Sequence, residues 1–195
     1  MKRNRQDQKK PGMYRIIGGQ WRSRRLNFIE VDGLRPTTDR VRETLFNWLA
    51  PMIEGARVLD LFAGSGALGF EALSRGADAV TMLEIDRTAM LTLQDNARIL
   101  NTGAQIIQAD ALDWVTRQPL ADYDLIFADP PFRRGLADQL LERLSQTILH
   151  PKALLYLETE REWTGRGLTE HWIVQKEKEA GQVCYRLLRH AGAAA

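Results

Sequence analysis

Val58-Leu59-Asp60-Leu61-Phe62-Ala63-Gly64-Ser65-Gly66-Ala67-Leu68-Gly69 is the stretch on which the fold turns. Its apolar run predicts a strand over 57–62, and Gly64, Gly66 and Gly69 satisfy G-x-G-x-x-G at the head of a helix predicted over 66–75. Acidic Glu84 follows twenty residues after Gly64, at the end of the next predicted strand. Glycines let the backbone approach a nucleoside closely, and a carboxylate one strand over can accept ribose hydroxyl protons. A dinucleotide or an adenosyl sulfonium satisfies this pattern equally. A bare strand-to-helix turn would need neither Asp60 nor Glu84.

Downstream, short apolar runs alternate with helical periodicity, the signature of a parallel sheet with crossover helices. Strands are expected at 57–62, 80–85, 105–108, 123–128 and 153–158. Helices are expected at 66–75, at 87–101 and at 136–149, the last with Leu136, Leu140, Leu141, Leu144 and Ile148 on one face, and a shorter turn at 111–118. Trp172 to Lys178 and Val183 to Leu188, joined around Gly181, read as a closing antiparallel hairpin. The fold class is therefore α/β: a Rossmann-like, mostly parallel sheet flanked by helices, with a C-terminal antiparallel hairpin.

Upstream, residues 1–12 lack apolar periodicity and read as a flexible basic leader. Tyr14 to Ile17 and Arg25 to Val31 suggest a small β-hairpin extension over 13–34, separated by Gly18-Gly19 and closed by Asp32-Gly33. Pro36, with Thr37, Thr38 and Asp39 as candidate caps, opens a helix whose apolar residues Val41, Leu45, Trp48 and Leu49 share a face. Arg40 and Arg42, with Arg35 just before, read as its solvated side. Charge is concentrated here: residues 1–25 carry nine Lys/Arg against one acid, although the whole chain is only +2. Such an arm attracts a polyanion, and Tyr14 and Trp21 within it are able to stack on bases.

The segment Asp124-Leu125-Ile126-Phe127-Ala128-Asp129-Pro130-Pro131-Phe132 narrows the chemistry. A buried strand delivers four residues at its carboxyl end, where open α/β sheets place their ligand crevice. Two prolines fix φ and remove two N–H donors, leaving a rigid acceptor platform. Asp129 and the Pro130 carbonyl can accept both hydrogens of a planar amine while Phe132 stacks on the ring that carries it. An exocyclic base amine is a poor nucleophile because its lone pair is delocalised. Hydrogen bonds to its protons favour the pyramidal form reached during alkyl transfer. Asp110, after the third strand, offers an acceptor for an adenine amine or simply a helix cap.

Other chemistries drop out. No run of about 18 apolar residues is present, and the basic start has no apolar stretch behind it. A cytoplasmic protein with no membrane segment is expected. One cysteine, Cys184, and three scattered histidines provide no metal-ligand spacing, so no metal is assigned. Cys184 in the final hairpin, like Trp114, Trp163 and Trp172, reads as packing.

Asp60 to Gly66, Glu84, Asp110 and Asp129-Pro130-Pro131-Phe132 together resemble the class I S-adenosylmethionine-dependent amino-methyltransferases. Arg15-Ile16-Ile17-Gly18-Gly19, Arg35 to Asn47 and Asp129 to Gly135 are similar, more narrowly, to the bacterial 16S ribosomal RNA guanine-N2 methyltransferases (RsmD family). The resemblance implies a methyltransferase domain over 35–190 that methylates the N2 amine of one guanine in 16S ribosomal RNA, with the small ribosomal subunit as partner. It implies a catalytic set of Asp129, Pro130 and Phe132. S-Adenosylmethionine would be held by Asp60, Phe62, Ala63, Gly64, Gly66, Glu84, Ile85, Asp110, Ala111 and Asp129. RNA would meet Arg15, Arg22, Arg24, Arg25, Arg35, Arg40, Arg133 and Arg134. A monomer is the default expectation. Methylation of a DNA adenine or cytosine amine, and a non-catalytic RNA-binding assembly factor, are the alternatives that the platform and the basic arm also accommodate.

Overall fold

The computed structural model describes residues 11–29, 37–168 and 171–192. A two-stranded ribbon, β1 (Pro11–Arg15) and β2 (Arg25–Ile29), precedes α1 (Asp39–Leu49). The sheet follows as β3 (Arg57–Asp60), α2 (Ala67–Ser74), β4 (Ala79–Glu84), α3 (Arg87–Leu100), β5 (Gln105–Gln108), α4 (Ala111–Arg117), β6 (Leu125–Ala128), α5 (Leu136–Ser145), β7 (Leu154–Glu160), β8 (Trp172–Ala180) and β9 (Val183–His190). Seven strands lie in the order β5-β4-β3-β6-β7-β9-β8. The first five are parallel, and β9 inserts antiparallel between β7 and β8. The order reverses between β3 and β6, so their carboxyl ends open a crevice.

Each face of the sheet carries its own apolar core. On one, Val58, Phe127 and Tyr156 pack with Val41, Leu45 and Phe46 of α1, Phe70 of α2 and Leu93 of α3. On the other, Leu59, Ile126 and Leu155 pack with Leu112 of α4 and Leu140, Leu141 and Leu144 of α5. The period-3.6 faces of these helices and the near-continuous apolar strands explain this three-layer arrangement. Cys184 and Trp172 are buried, and the Trp172 indole donates to the Leu141 carbonyl at 3.3 Å.

The N-terminal ribbon is built into the first core rather than lying on it. Tyr14, Ile16, Leu26 and Phe28 are buried there. Strand β1 starts at Pro11, two residues before the expected start of the extension at 13, since proline is tolerated at the first position of an edge strand. It ends at Arg15 rather than Ile17. The N–H groups of Ile17 and Gly18 instead donate to the two carboxylate oxygens of Glu71 on α2, at 2.8 Å each. Val31 and Arg35 lie outside the described residues.

Two expectations are corrected. Arg42 is not on a solvated side: it is 1% exposed and donates to Asp39 at 2.6 Å and to the Arg15 carbonyl at 2.9 Å. A guanidinium is tolerated there because the α2 carboxylate of Glu71 lies 3.7 Å away. Helix α5 stops at Ser145, and Ile148 is 81% exposed instead of completing the buried face. Leu149 leaves the helix to form a bridge with Leu120, which takes the anchoring role Ile148 was expected to fill.

Candidate active site

The site is assembled at the point where the strand order reverses. After β3 the chain turns tightly: Leu61 N–H donates to Phe127 O, Ala63 N–H to Leu83 O and Gly66 N–H to Ala63 O. Gly66 opens α2 in a left-handed conformation at φ 78°, and a Cβ there would strike Phe70 and Leu93. Gly69 lies against Met82 of β4, so it serves close helix–strand packing. The third glycine of the motif thus has a different task from the first two.

A narrow cleft opens over this turn. Asp60, Phe62, Ala63, Gly64, Ser65, Ala67 and Leu68 form one side, and Asp129, Thr37, Phe28 and Ile29 the other. Asp60 is 2% exposed, and its Oδ2 is buried with no hydrogen-bond partner. Burial, then the neighbouring charge of Asp129, pushes its pKa up to about 7, with the N–H groups of Gly69 and Phe62 and the more distant Glu84 as smaller influences. Asp129 is also pushed up to about 7 by burial, against a 3.3 Å hydrogen bond donated by the Thr37 hydroxyl. It retains some exposure to the cleft. Two carboxyl groups this starved of solvent mark a place prepared for a cation or for hydrogen-bond donors.

Glu84 stands beside the same turn, but its geometry is specific. One carboxylate oxygen accepts the Gly64 N–H at 2.9 Å and the other the Asp86 N–H at 2.8 Å. It therefore ties the glycine turn to the head of α3, leaving a further lone pair on each oxygen for a diol. Burial raises its pKa, and the two N–H bonds oppose that rise. Ile85 follows at 63% exposure, and its carbonyl accepts from Gln108 of β5 at 3.2 Å; neither Glu84 nor Ile85 is in the cleft lining itself.

Asp110 and Ala111 do not line the cleft with Asp60 and Asp129. Asp110 is exposed and caps α4 by accepting the Asp113 N–H at 3.0 Å, and the Ala111 side chain is in the second core. Pro130 is buried and Phe132 half-buried in the turn after β6, neither lining the cleft. Arg133 and Arg134 are exposed in that turn, where Arg133 N–H donates to Glu160 at 3.2 Å. Among the arginines of the ribbon, Arg22, Arg24 and Arg25 are exposed and Arg15 pairs with Asp39 at 2.9 Å. Arg40 is exposed on α1.

Sequence reasoning missed the outer wall. Phe28, Ile29 and Thr37 close the cleft from the N-terminal side, and only the candidate-cap reading of Thr37 hinted at that region. It also missed Glu158, 5% exposed on β7 beside the platform, whose Oε2 accepts the Tyr156 hydroxyl at 2.7 Å. An acidic residue inside an apolar strand is the signal that could have found it.

The reversal in strand order, the glycine turn and the paired carboxyl groups define a class I methyltransferase fold with its donor-side crevice. Residues 14–189 match the family profile described as conserved hypothetical protein 95. The chain belongs to that family, together with ribosomal RNA small subunit methyltransferase D of Escherichia coli K12, to which it is 48% identical over 178 residues, 90% of this chain and 89% of the relative. A solved E. coli structure described as a methyltransferase is 48% identical with a TM-score of 0.81, covering 92% of this chain and 98% of that one. The T. thermophilus 16S rRNA N2-guanine methyltransferase solved with AdoMet and guanosine shares the fold at 21% identity and a TM-score of 0.68, over 93% of this chain and 50% of that one.

The residues of the crevice fit S-adenosylmethionine. The orphaned Asp60 Oδ2 suits a cationic group, the glycine turn admits a backbone-hugging ligand, and Glu84 with Ile85 offers a diol acceptor beside an apolar face.

Proposed function

We propose that this chain transfers a methyl group from S-adenosylmethionine to the exocyclic N2 amine of a guanine in 16S ribosomal RNA, acting as a monomer on the small subunit in the cytoplasm. The observation that carries this reading is the pair of carboxyl groups, buried Asp60 and half-buried Asp129, at the carboxyl ends of adjacent strands β3 and β6 in one cleft. Asp60 faces the donor side and Asp129 begins the Asp-Pro-Pro-Phe platform.

When bound, S-adenosylmethionine supplies an electrophilic methyl group on a sulfonium sulfur. Asp60, Glu84 and the glycine turn hold it in one orientation. Asp129 and the Pro130 carbonyl accept the two N–H hydrogens of the target amine, turning the nitrogen lone pair toward the methyl carbon. Phe132 lies outside the cleft lining, half-buried in the turn three residues after Asp129, and its proposed part is to stack on a purine entering from that side, offsetting the few kcal/mol needed to splay the base out of its stack. Orientation of this kind contributes about 7 to 11 kcal/mol in well-aligned systems. The methyl carbon would pass from sulfur to nitrogen as its carbon–sulfur bond breaks and S-adenosylhomocysteine leaves, and Asp129 would take the proton that the alkylated, acidic nitrogen then gives up. The raised pKa of Asp129 near 7 suits a group that must bind and release a proton at neutral pH.

The test is methyl transfer from labelled S-adenosylmethionine to naked 16S rRNA, to small subunits from a strain lacking the protein, and to duplex DNA, followed by nucleoside analysis. N2-methylguanosine from RNA and none from DNA supports the proposal. Methyladenine or methylcytosine in DNA overturns the substrate, and no label with RNA still bound favours the assembly-factor alternative.

A further inference from the structure

A second cleft lies beside the first, between the N-terminal ribbon and the start of α1. Among the described residues it is lined by Tyr14, Arg15, Arg25, Thr38, Asp39 and Arg42, with Met13 at its edge. It shares Phe28 and Thr37 with the donor cleft, so the two are neighbours across one aromatic ring and one hydroxyl.

Its charge is unbalanced by design of the backbone. Arg15 and Arg25 are direct cross-strand partners in the β1–β2 register, and like charges placed opposite one another destabilise a ribbon. Both are exposed. Arg15 is partly offset by Asp39 at 2.9 Å, whereas Arg25 has no carboxylate partner among the described residues. Arg42 is in the same lining at 1% exposure, with its Nε and Nη1 making no hydrogen bond. The lining therefore presents two exposed guanidinium groups, Arg15 and Arg25, against the single carboxylate of Asp39, while buried Arg42 is balanced from beneath by Glu71 at 3.7 Å. The buried Tyr14 hydroxyl also lacks a partner. Arginine forks match the oxygen geometry of a phosphate better than any other side chain.

We propose that this second cleft is a subsite for the phosphodiester linkage next to the methylated nucleotide, gripped by Arg15 and Arg25. The inference rests on the reading of the chain as an RNA methyltransferase. A phosphate seated between the two arginines relieves their repulsion and fixes the neighbouring base over the Phe28–Thr37 boundary. The cleft thus positions the substrate strand, while the base platform selects the reacting atom.

The experiment uses the full chain and two double variants that remove equal charge: Arg15→Ala with Arg25→Ala in the ribbon, and Lys176→Ala with Lys178→Ala on the exposed strand β8. Retention of labelled 16S rRNA is measured across a salt series, with KM and kcat for small subunits and the affinity for S-adenosylmethionine alongside. The first pair is expected to weaken RNA retention and raise KM at least about 10-fold, with a shallower salt dependence by about one unit of slope. Its kcat and donor affinity stay within about twofold, whereas the second pair changes KM less than about threefold. Arg25→Ala alone, which breaks no ion pair of the described residues, shows the same direction and guards against misfolding of the double variant. Equal effects of the two pairs would overturn the subsite in favour of diffuse attraction, as would a fall in kcat with retention and KM unchanged. RNA retention needs no turnover, so a parent enzyme that makes no N2-methylguanosine would sink the underlying reading while retention still decides the subsite.

Discussion

Asp129 raises the proton affinity of Asp60 across the β3–β6 strand pair, in a cleft where neither has a cation partner among the described residues. Unfolded, both carboxyl groups titrate near 4, and folded, near 7. A group with a raised folded pKa contributes stability below its unfolded value, and loses it as pH climbs through the folded value. The ligand-free protein should therefore lose thermal stability between about pH 4 and pH 8 relative to Asp60→Asn or Asp129→Asn. Melting curves across that range check this: a gap between parent and variant that fails to widen with pH would refute the burial assignment.

The same linkage bears on donor and product. S-Adenosylmethionine carries a sulfonium charge that S-adenosylhomocysteine lacks, and ionised carboxylates reward only the former. The preference for donor over product should grow severalfold as pH rises from about 6 to about 8, and Asp60→Asn should flatten that rise. Calorimetric titration of both ligands at each pH gives the ratio directly.

Asp129→Ala tests the platform. Loss of one pre-aligned hydrogen-bonding group at a reacting centre costs about 100-fold or more in turnover. Donor affinity and RNA retention should remain within a few fold, so the defect appears in kcat measured under single-turnover conditions.

Glu71 is a structural keystone, fully buried and holding Arg75 at 2.7 Å as well as the N–H groups of Ile17 and Gly18. Glu71→Ala strips these partners at once and leaves Arg42 and Arg75 without their buried carboxylate. A loss of about 3 to 5 kcal/mol is expected from chemical denaturation. Proteolysis should then cut within the ribbon before the sheet.

The two helix-side glycines of the turn should differ. Gly66→Ala places a side chain at φ 78° against Phe70 and Leu93, which costs on the order of 1 to 3 kcal/mol and distorts the cleft. Gly69→Ala meets the flexible end of Met82 and should cost less, with donor affinity nearly kept. Thermal melts and donor titration of the pair separate the two roles.

The parallel sheet was legible because its strands are continuous apolar runs and its helices keep a clean apolar face. The five expected parallel strands and the closing hairpin appear with ends shifted by a few residues at most. The glycine turn and Asp129 were legible because their chemistry is local. What escaped was long-range. Nothing in 13–29 announces that Glu71, more than 50 positions away, would capture Ile17 and Gly18 and fold the ribbon into the core. Arg42 looked solvated because its carboxylate partners, apart from Asp39, come from another helix. Asp110 satisfied two readings at once, and of the two the structure displays the cap.

Strand β2 carries Arg25 at one end and Phe28 three residues on, one in the basic cleft and the other in the wall shared with the donor cleft. A strand advances about 3.3 Å per residue and does not stretch, so about 10 Å of backbone separates the two. The ribbon is in this sense a calliper. Under the proposed subsite, a nucleotide is admitted to chemistry when its neighbour's linkage and its own amine span that fixed gauge, so the subsite as proposed makes the shape of the RNA strand, ahead of its letters, the quantity being measured.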